Sequence, residues 1–365
     1  MTADQPAAVL PGATVAGRVL ITGGAGFIGT NLAGRLAGSG RHVVVLDTLS
    51  RAGVERNARW LRRTHGDRVE IIVGDVRDRA AVEHALSDVS EVYHLAAQVA
   101  VTTSLDDPLH DFDVNARGTL TLLEALRRRR PFPTLLFTST NKVYGALDDV
   151  PLMRRGGRYR PVDDGLDRHG VDEARPIAFH SPYGCSKGSA DQYVLDYART
   201  FGLPAAVLRM SCIYGPHQHG NEDQGWVAHF VKRTLAGDPV VIYGDGCQVR
   251  DVLYVDDLVD ALLAARDAIG RIAGQAFNIG GGPARALSLL ELIERIEGLT
   301  HREVRRSLAP WRAADQRYYV SDCRRFEQAA GWMPHVPVDD GLTRLADWLQ
   351  RAAARDAEPG RLAVS

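Results

Sequence analysis

A glycine-rich turn near the start of the chain places the strongest constraint on its fold. Residues 23–29 read GGAGFIG; they follow a short apolar run at residues 18–22 and open a segment of helical character. A strand, a tight glycine turn and a helix N-terminus form the pattern of a dinucleotide-binding βα unit. Gly23 permits the turn, Gly26 lets the backbone approach a pyrophosphate, and Gly29 permits close packing of helix on strand. The alternative is a glycine-rich loop that binds no ligand.

Short apolar runs alternate with helical segments over more than half of the chain. The runs lie at residues 18–22, 43–46, 69–73, 92–95, 134–138 and 205–208. Such runs are typical of parallel strands whose two faces are both covered by helices. The sequence therefore predicts an α/β fold with a doubly wound parallel sheet of the Rossmann type. After Ser211 the pattern is more mixed, which predicts a smaller mixed α/β domain for the substrate.

The second apolar run is followed by Asp47. A carboxylate here can accept hydrogen bonds from both hydroxyls of an adenosine ribose and would repel a 2′-phosphate, so the sequence favours NAD over NADP. Arg51 lies close enough in the sequence to keep NADP as an alternative. Asp75 and Val76 follow the third run and are expected near the adenine, and small residues at 95–98 leave space for a cofactor after the fourth run.

Tyr183 and Lys187 belong to a second motif, YGCSK. Ser181 resembles an N-cap and Pro182 a first helical residue, so Tyr183 is predicted to open a helix with Lys187 one turn later on the same face. A tyrosine phenol has an ordinary pKa of about 10 and is a poor base at neutral pH. A nearby ammonium and a positively charged nicotinamide ring would lower that pKa and favour the phenolate. The alternative is an exposed pair of helix side chains.

A third motif, TSTNKVYG at residues 138–145, closes the fifth apolar run. Ligands of doubly wound sheets bind outside the carboxyl ends of the strands. A hydroxyl at this place can bridge the Tyr183 phenol and a reacting hydroxyl of the substrate. The alternative is that these side chains only cap backbone groups at the strand end.

The three motifs together resemble the extended short-chain dehydrogenase/reductase family of nucleotide-sugar epimerases and dehydratases. The resemblance runs from about Arg18 to about Trp348. Further stretches resemble a branch of the family that inverts carbon 2 of the sugar. These are residues 139–145, 179–187, 190–193, 223–227, 248–253, 276–281 and 315–317.

The resemblance implies roles by position. Tyr183 would be the catalytic acid and base, Lys187 its partner, and Thr140 the bridging hydroxyl. The predicted cofactor contacts are Gly23, Gly26, Phe27, Ile28, Gly29, Asp47, Asp75, Val76, Leu95, Ala96, Ala97, Gln98, Asn115, Thr138, Tyr183 and Lys187. The predicted substrate contacts are Ser139, Thr140, Asn141, Tyr243, Arg250, Arg312 and Asp315. Both arginines are expected at the substrate diphosphate and Tyr243 on the nucleobase, with Arg317 near the nucleotide ribose or phosphate.

The activity implied is NAD-dependent epimerisation of a nucleotide-diphosphate sugar through a transient keto sugar. Carbon 2 is favoured, and a 4-epimerase of UDP-sugars is the alternative. The 4,6-dehydratases of the family carry an acidic pair where this chain has Asn141 and Lys142, so elimination of water is disfavoured. A catalytically silent NAD-binding protein would be expected to lack Tyr183 and Lys187.

Charge and composition exclude other classes of function. The net charge is -1 and the pI about 6.9, which predicts neither a nucleic-acid partner nor a membrane partner. No apolar run of about 18 residues is present, so no membrane span is predicted. Four cysteines without a C-x-x-C pair predict reduced thiols in a cytoplasmic protein. His217 and His219 have no third ligand near them in the sequence, so no metal site is predicted.

The same patterns give expected domain limits. They are a flexible tail at residues 1–17, an NAD-binding domain at 18–180 to which the chain returns at 181–211 and 250–265, a mainly substrate-binding part at 212–350, and a tail at 351–365. The segment 145–175 has little periodicity and is predicted as a long loop. The family resemblance also implies a homodimer or a homotetramer.

Overall fold

The computed structural model describes residues 17–312 and 314–357, and most of the two predicted tails lies outside these ranges. The described strands are β1 (Arg18–Thr22), β2 (Val43–Asp47), β3 (Val69–Val73), β4 (Val89–His94), β5 (Thr134–Thr140), β6 (Leu152–Arg155), β7 (Arg158–Pro161), β8 (Ala205–Met210), β9 (Cys212–Tyr214), β10 (Val240–Tyr243), β11 (Val249–Tyr254), β12 (Ala276–Ile279), β13 (Ala286–Ser288), β14 (Arg306–Ala309) and β15 (Tyr318–Tyr319). The described helices are α1 (Phe27–Gly38), α2 (Val54–His65), α3 (Arg79–Ala85), α4 (Val101–Asp106), α5 (Pro108–Phe112), α6 (Gly118–Arg127), α7 (Asp164–His169), α8 (Ser181–Phe201), α9 (Trp226–Ala236), α10 (Val255–Asp267), α11 (Ile269–Ile272), α12 (Leu289–Thr300), α13 (Arg324–Ala330) and α14 (Val338–Ala357).

Seven strands form one parallel sheet in the order β3-β2-β1-β4-β5-β8-β12. Leu20 at the centre lies opposite Val44 of β2 on one side and Val92 of β4 on the other. The direction of the strand order reverses between β1 and β4, and in such sheets a ligand crevice opens at the carboxyl ends of the strands at that point. The doubly wound α/β fold predicted from the sequence is confirmed.

Alternate residues of the central strands enter two separate apolar cores. Val19 and Ile21 pack with helices α1, α2 and α10 on one face of the sheet, whereas Leu20 packs with α3, α6 and α8 on the other. Because both faces are buried, the strands read as continuous apolar runs. Strand β5 continues to Thr140, two residues beyond the predicted end, and therefore carries Ser139 and Thr140 at its carboxyl end.

A smaller part of the chain packs beside the sheet around a third apolar core. Strand β11 pairs with β9, β13 and β15, and β10 pairs in parallel with β14. Helices α9, α12 and α14 cover these strands through buried side chains that include Phe230, Leu292 and Leu345. Helix α14 extends to Ala357, so the part of the chain predicted as a tail from residue 351 starts as helix.

The segment 145–175 is not the structureless loop that its composition predicted. It contains the antiparallel hairpin β6–β7, in which Arg155 lies opposite Arg158, followed by helix α7. Gly156 and Gly157 form the two-residue turn, both with positive φ, at 58° and 79°. A turn of this type joins two strands with the twist that a hairpin needs, and it requires residues that tolerate positive φ. The Gly-Gly pair was the signal in the sequence.

Each of the four cysteines is a free thiol. Within the part of the chain that the structure describes, no helix combines the length and the apolar character needed to cross a membrane.

Candidate active site

The glycine turn brings β1 and α1 into backbone contact. A Cβ atom at Gly29 would lie 2.5 Å from the carbonyl oxygen of Gly23, and one at Gly23 would lie 2.7 Å from the backbone nitrogen of Ala96. A Cβ at Gly26 would meet only the Gly23 oxygen, at 3.1 Å, so the outer side of the turn is open. Among the described residues no side chain caps α1. The N–H groups of its first turn, which starts at Phe27, are therefore available to a diphosphate.

Asp47 lies beside this turn at the end of β2. Its Oδ2 accepts a hydrogen bond from the N–H of Ala25 at 3.1 Å, and its Oδ1 accepts one from the N–H of Leu49 at 2.9 Å. Burial raises the pKa of Asp47, while the two N–H groups and Arg51 act in the opposite direction. The Arg51 guanidinium itself donates to the side chain of Gln224. The carboxylate is thus fixed at the strand end where a ribose would lie.

Other residues predicted to contact the cofactor take part in packing around the crevice. Val76 is buried in the second core, and Ile28 packs against the first. The carboxylate of Asp75 forms an ion pair with Arg77 at 2.6 Å, and this partner lowers the pKa of Asp75. Leu95, Ala96 and Ala97 follow β4 and are half-buried.

Two buried polar atoms at neighbouring strand ends have no hydrogen-bond partner among the described residues. One is the Oγ of Ser139 at the end of β5, and the other is the Oε1 of Gln98 after β4. A buried polar atom without a partner costs about 1–3 kcal/mol. Together with the open glycine turn and the fixed Asp47 carboxylate, these atoms fit a dinucleotide and a polar substrate at this edge of the sheet.

Helix α8 and strand β5 bring the predicted catalytic residues together. Helix α8 begins at Ser181 with His180 as its N-cap, one residue earlier than predicted from the sequence. Ser181 Oγ nevertheless accepts from the N–H of Gly184 at 3.2 Å. Tyr183 in the first turn of α8 is hydrogen-bonded to the side chain of Thr140. One turn later, Lys187 Nζ donates to the carbonyl oxygen of Thr138 at 2.7 Å.

Burial shifts the pKa values of both groups on α8. It raises the pKa of Tyr183 to about 12, against the hydrogen bond from Thr140, and Asp111 adds to the rise. It lowers the pKa of Lys187 to about 7, against Asp191 and Asp111. The sequence predicted a lowered pKa for Tyr183, and the chain alone gives the opposite because loss of solvation outweighs the hydrogen bond. Positive charge from a bound nicotinamide would favour the phenolate.

A buried hydrogen-bond network connects α8 to the end of β4. Asp111 is fully buried and accepts from Ser186 Oγ and, at 3.2 Å, from Asn115 Nδ2. Asn115 Oδ1 accepts from the N–H of Gln98 at 2.9 Å. Asn115 was predicted to contact the cofactor; in the structure its side chain supports the loop after β4. Asp111 and Ser186 were missed, because nothing in their local sequence separates a buried carboxylate from a surface one.

Two predicted substrate residues meet at the junction with the smaller part of the chain. Arg250 on β11 forms an ion pair with Asp315 at 2.8 Å and also donates to the carbonyl oxygen of Gln316. The side chain of Gln316, fully buried, accepts from Lys142 Nζ at 3.2 Å and donates to the carbonyl oxygen of Gly145 at 2.6 Å. Arg250 is thereby connected to the segment that follows Thr140, where Asn141 is also buried.

Tyr243 and Arg312 form a second pair. The Arg312 guanidinium lies 3.8 Å above the Tyr243 ring. It donates to the carbonyl oxygen of Glu222 at 2.9 Å and lies 3.3 Å from the carboxylate of Asp223. The Tyr243 hydroxyl donates to the Glu222 carboxylate at 2.5 Å. Arg312 therefore covers one face of the Tyr243 ring, which was expected to pack on the nucleobase. Arg317, five residues after Arg312, is exposed.

Comparison with known proteins identifies the family of the chain. The NAD dependent epimerase/dehydratase family matches residues 19–280. The chain is 41% identical over 338 residues to the CDP-paratose 2-epimerase of Salmonella typhi, covering 91% of this chain and 98% of the relative. It is 32% identical over 335 residues to the UDP-glucose 4-epimerase of Mycolicibacterium smegmatis, with 91% and 98% covered.

Solved structures give the same result. The UDP-glucuronic acid 4-epimerase of Bacillus cereus, in complex with UDP-glucuronic acid and NAD, matches with a TM-score of 0.79 at 27% identity, covering 92% of this chain and 99% of that one. The UDP-glucose 4-epimerase of Thermus thermophilus in complex with NAD matches with a TM-score of 0.76 at 32% identity and the same coverage.

The glycine turn, Asp47 and the Tyr183–Thr140–Lys187 group thus occur in a chain whose homologues are NAD-dependent nucleotide-sugar epimerases. The chain is an enzyme of this kind and NAD is its cofactor. The family match spans residues 19–280, and a relative 41% identical aligns with 91% of this chain. The chain therefore belongs to the NAD-dependent epimerase/dehydratase family of extended short-chain dehydrogenases.

Proposed function

We propose that this NAD-dependent epimerase inverts carbon 2 of a CDP-linked sugar. The observation that carries the proposal is the 41% identity to a CDP-paratose 2-epimerase over 91% of the chain. The 4-epimerases among the relatives are less similar, at 32% identity or below over the same share of the chain. Because they share the fold and the cofactor, inversion at carbon 4 of a UDP-sugar is the second candidate.

In the proposed mechanism the side chains of this chain move one proton and hold the substrate. Tyr183, through Thr140, takes the proton of the reacting hydroxyl and later returns it to the keto oxygen. Bound NAD supplies reversible hydride exchange with the sugar carbon, which is chemistry that no side chain here can provide. Arg250 and Arg312 hold the diphosphate while the sugar presents its other face. Lys187, one helix turn after Tyr183, donates from Nζ to the Thr138 carbonyl oxygen and so ties α8 to the end of β5.

The segment after Thr140 supports epimerisation over elimination. Removal of water from a sugar needs an acid for the leaving hydroxyl and a base for the proton at the neighbouring carbon. The chain has Asn141 and Lys142 at this position, and neither is a carboxylic acid. The net reaction is therefore an isomerisation without redox change.

We propose that the protein is a homodimer through helices α4 and α5. These helices pack on α8. They expose the apolar side chains of Leu105, Leu109 and Phe112, which are 47%, 80% and 53% exposed. An apolar patch of this kind on helices is typical of an interface between subunits. A cytoplasmic location stays a prediction, in keeping with the four free thiols.

Proton NMR with a panel of CDP-, UDP-, dTDP- and GDP-linked sugars in D2O tests the proposal. We expect inversion at carbon 2 of a CDP-linked sugar without deuterium at the inverted carbon, because the hydrogen removed there is the one that returns. Inversion at carbon 4 would establish the second candidate instead. A 4-keto-6-deoxy product would contradict the argument from Asn141 and Lys142, and turnover of no donor would contradict the proposed function.

A further inference from the structure

The three lysines of this chain are distributed unusually. Of its 44 lysine and arginine residues, 41 are arginine, and the lysines are Lys142, Lys187 and Lys232. Lys232 is exposed on α9. Lys142 follows the carboxyl end of β5, and Lys187 donates to a carbonyl oxygen near that end. In a chain that uses arginine at nearly every position where a positive charge is needed, an ammonium at these two places indicates that a guanidinium does not suffice there.

Lys187 has a role in the mechanism above, whereas Lys142 has none. Its backbone N–H donates to Thr140 Oγ1 at 3.2 Å, so its position is tied to the bridging hydroxyl. Its Nζ donates to Gln316 Oε1 at 3.2 Å. Burial lowers the pKa of Lys142 to about 8, and the nearby Arg250 adds to this effect. An ammonium carries three N–H donors, so this group can bind a further acceptor.

Lys142 lies between the two ends of the proposed substrate. On one side is Thr140 with its partner Tyr183, where the sugar hydroxyl reacts. On the other side is the Arg250–Asp315 ion pair, whose charges act on Lys142. Arg250 is the proposed contact of the diphosphate. The sugar connects these two ends, so it must pass the Lys142 ammonium. Gln316, held by Gly145, fixes the direction of the side chain.

We propose that Lys142 binds the sugar itself, by donating a hydrogen bond to a sugar oxygen while the sugar changes the face that it presents. This inference rests on the proposed epimerase function and names the contact that recognises the glycosyl group. A compact ammonium on a flexible stem has three rotatable donors and can follow an oxygen whose position changes. A planar guanidinium offers donors in a fixed fork and cannot. This difference explains why position 142 holds a lysine and not an arginine.

Binding and turnover of Lys142→Met, Lys142→Arg and Lys232→Met test the inference. We expect Lys142→Met to weaken the affinity for the CDP-linked sugar by about 10- to 100-fold, as loss of a charged hydrogen bond does, with less than a two-fold change for CDP. Lys142→Arg should restore little of the affinity or of kcat/KM. Lys232→Met, on the exposed face of α9, should match the wild type in both measurements.

A second measurement does not depend on turnover. With 13C-labelled lysine the wild type gives three side-chain signals, and the one missing from Lys142→Met is that of Lys142. We expect it to shift on addition of the CDP-linked sugar and not of CDP. An unmoved signal, or equal losses of affinity for the sugar nucleotide and for CDP, would overturn the inference while leaving epimerisation intact. Absence of turnover by the wild type would overturn the proposed function and this inference with it.

Discussion

Lys187 Nζ donates a hydrogen bond to the carbonyl oxygen of Thr138 at 2.7 Å, which connects helix α8 to the end of strand β5. The ammonium also lies 4.2 Å above the Phe137 ring, and the side chain is 3% exposed. A lysine side chain buried in this way cannot move out into solvent. The contact therefore sets the distance between Tyr183, one turn earlier on the same helix, and the hydroxyls at the strand end.

The buried position of Lys187 predicts a pH-dependent stability. Because burial lowers its pKa to about 7, the folded protein binds fewer protons at this site than the unfolded chain between about pH 7 and the ordinary lysine pKa. The contribution of Lys187 is therefore present above the ordinary pKa and lost as pH falls towards 7. We expect the free energy of unfolding of the wild type, relative to Lys187→Met, to rise by up to about 1.4 kcal/mol per pH unit in this window.

Urea unfolding of the cofactor-free proteins measures this difference. The pH range is 6.5 to 9.5, from about half a unit below the lowered pKa to a few units above it. Lys232→Met is the matched control, since Lys232 is exposed and its removal should give a constant difference from the wild type. A constant difference for Lys187→Met as well would contradict a lowered pKa at this site.

Tyr183→Phe should abolish most of the activity without loss of NAD. The phenol is the only group on α8 that hydrogen-bonds Thr140 among the described contacts, and general acid–base catalysis is worth about 100- to 10,000-fold in rate. We expect kcat to fall by that factor while the bound NAD, measured after denaturation, stays the same. Tyr193→Phe removes an exposed hydroxyl from the same helix and should leave kcat unchanged. A similar loss in both variants would point to a disturbed helix instead.

Most of the fold could be predicted from the sequence because its information is local. Six strands of the parallel sheet read as apolar runs, and in the central strands the reason is that both faces are buried. The glycine turn indicated how β1 meets α1. The hairpin in residues 145–175 was missed because its strands are polar and largely exposed; in β6 only Leu152 is partly buried. Only the Gly156-Gly157 turn indicated it, and a turn without apolar alternation is a weak signal.

The site could be predicted less completely because its contacts are made between distant segments. Tyr183 and Lys187 share one helix turn, so their relation was visible in the spacing. The link from Lys142 to Gln316 spans 174 positions and the link from Gln316 to Arg250 spans 66, which no local pattern reveals. The raised pKa of Tyr183 in the cofactor-free chain was likewise not visible in the sequence, because the extent of burial is a property of the packed structure.

Gly29→Ala should destabilise the protein, whereas Gly38→Ala on the same helix should not. The added Cβ at position 29 would lie 2.5 Å from both the Gly23 oxygen and the Gly24 Cα, and backbone atoms cannot give way as a side chain can. We expect a loss of about 2 kcal/mol or more in the free energy of unfolding and weaker NAD binding. At Gly38 the nearest atom would be 3.9 Å away, so alanine there should be neutral or slightly stabilising. Equal effects at both positions, in urea unfolding, would refute the steric reason.

Asp47→Ala should change the choice of cofactor. The carboxylate is fixed by the N–H groups of Ala25 and Leu49 and is placed to accept from the ribose hydroxyls of NAD. Without it we expect NAD affinity to fall by about 10- to 100-fold and NADP affinity to fall less or to rise, because the repulsion of a 2′-phosphate is gone. Fluorescence titration with both cofactors measures the ratio. A thermal melt of the cofactor-free variant separates this effect from a weakened turn, and an equal loss for NAD and NADP would argue against ribose recognition.

Leu109→Glu should dissociate the proposed dimer. Leu109 is the most exposed of the three apolar side chains on α4 and α5, at 80%, and in a homodimer it would be desolvated in both copies. A carboxylate in that position would have to lose its hydration without a partner, a cost large enough to shift the equilibrium to monomers.

Sedimentation velocity at micromolar concentration should show one species near twice the chain mass of 39.8 kDa for the wild type and one near that mass for the variant. Leu308→Glu, at a similarly exposed leucine on β14, serves as the control and should leave the wild-type species unchanged. Because α4 and α5 pack on α8, which carries Tyr183, a monomeric variant should also lose part of its activity. A dimer that survives Leu109→Glu would place the interface elsewhere on the molecule.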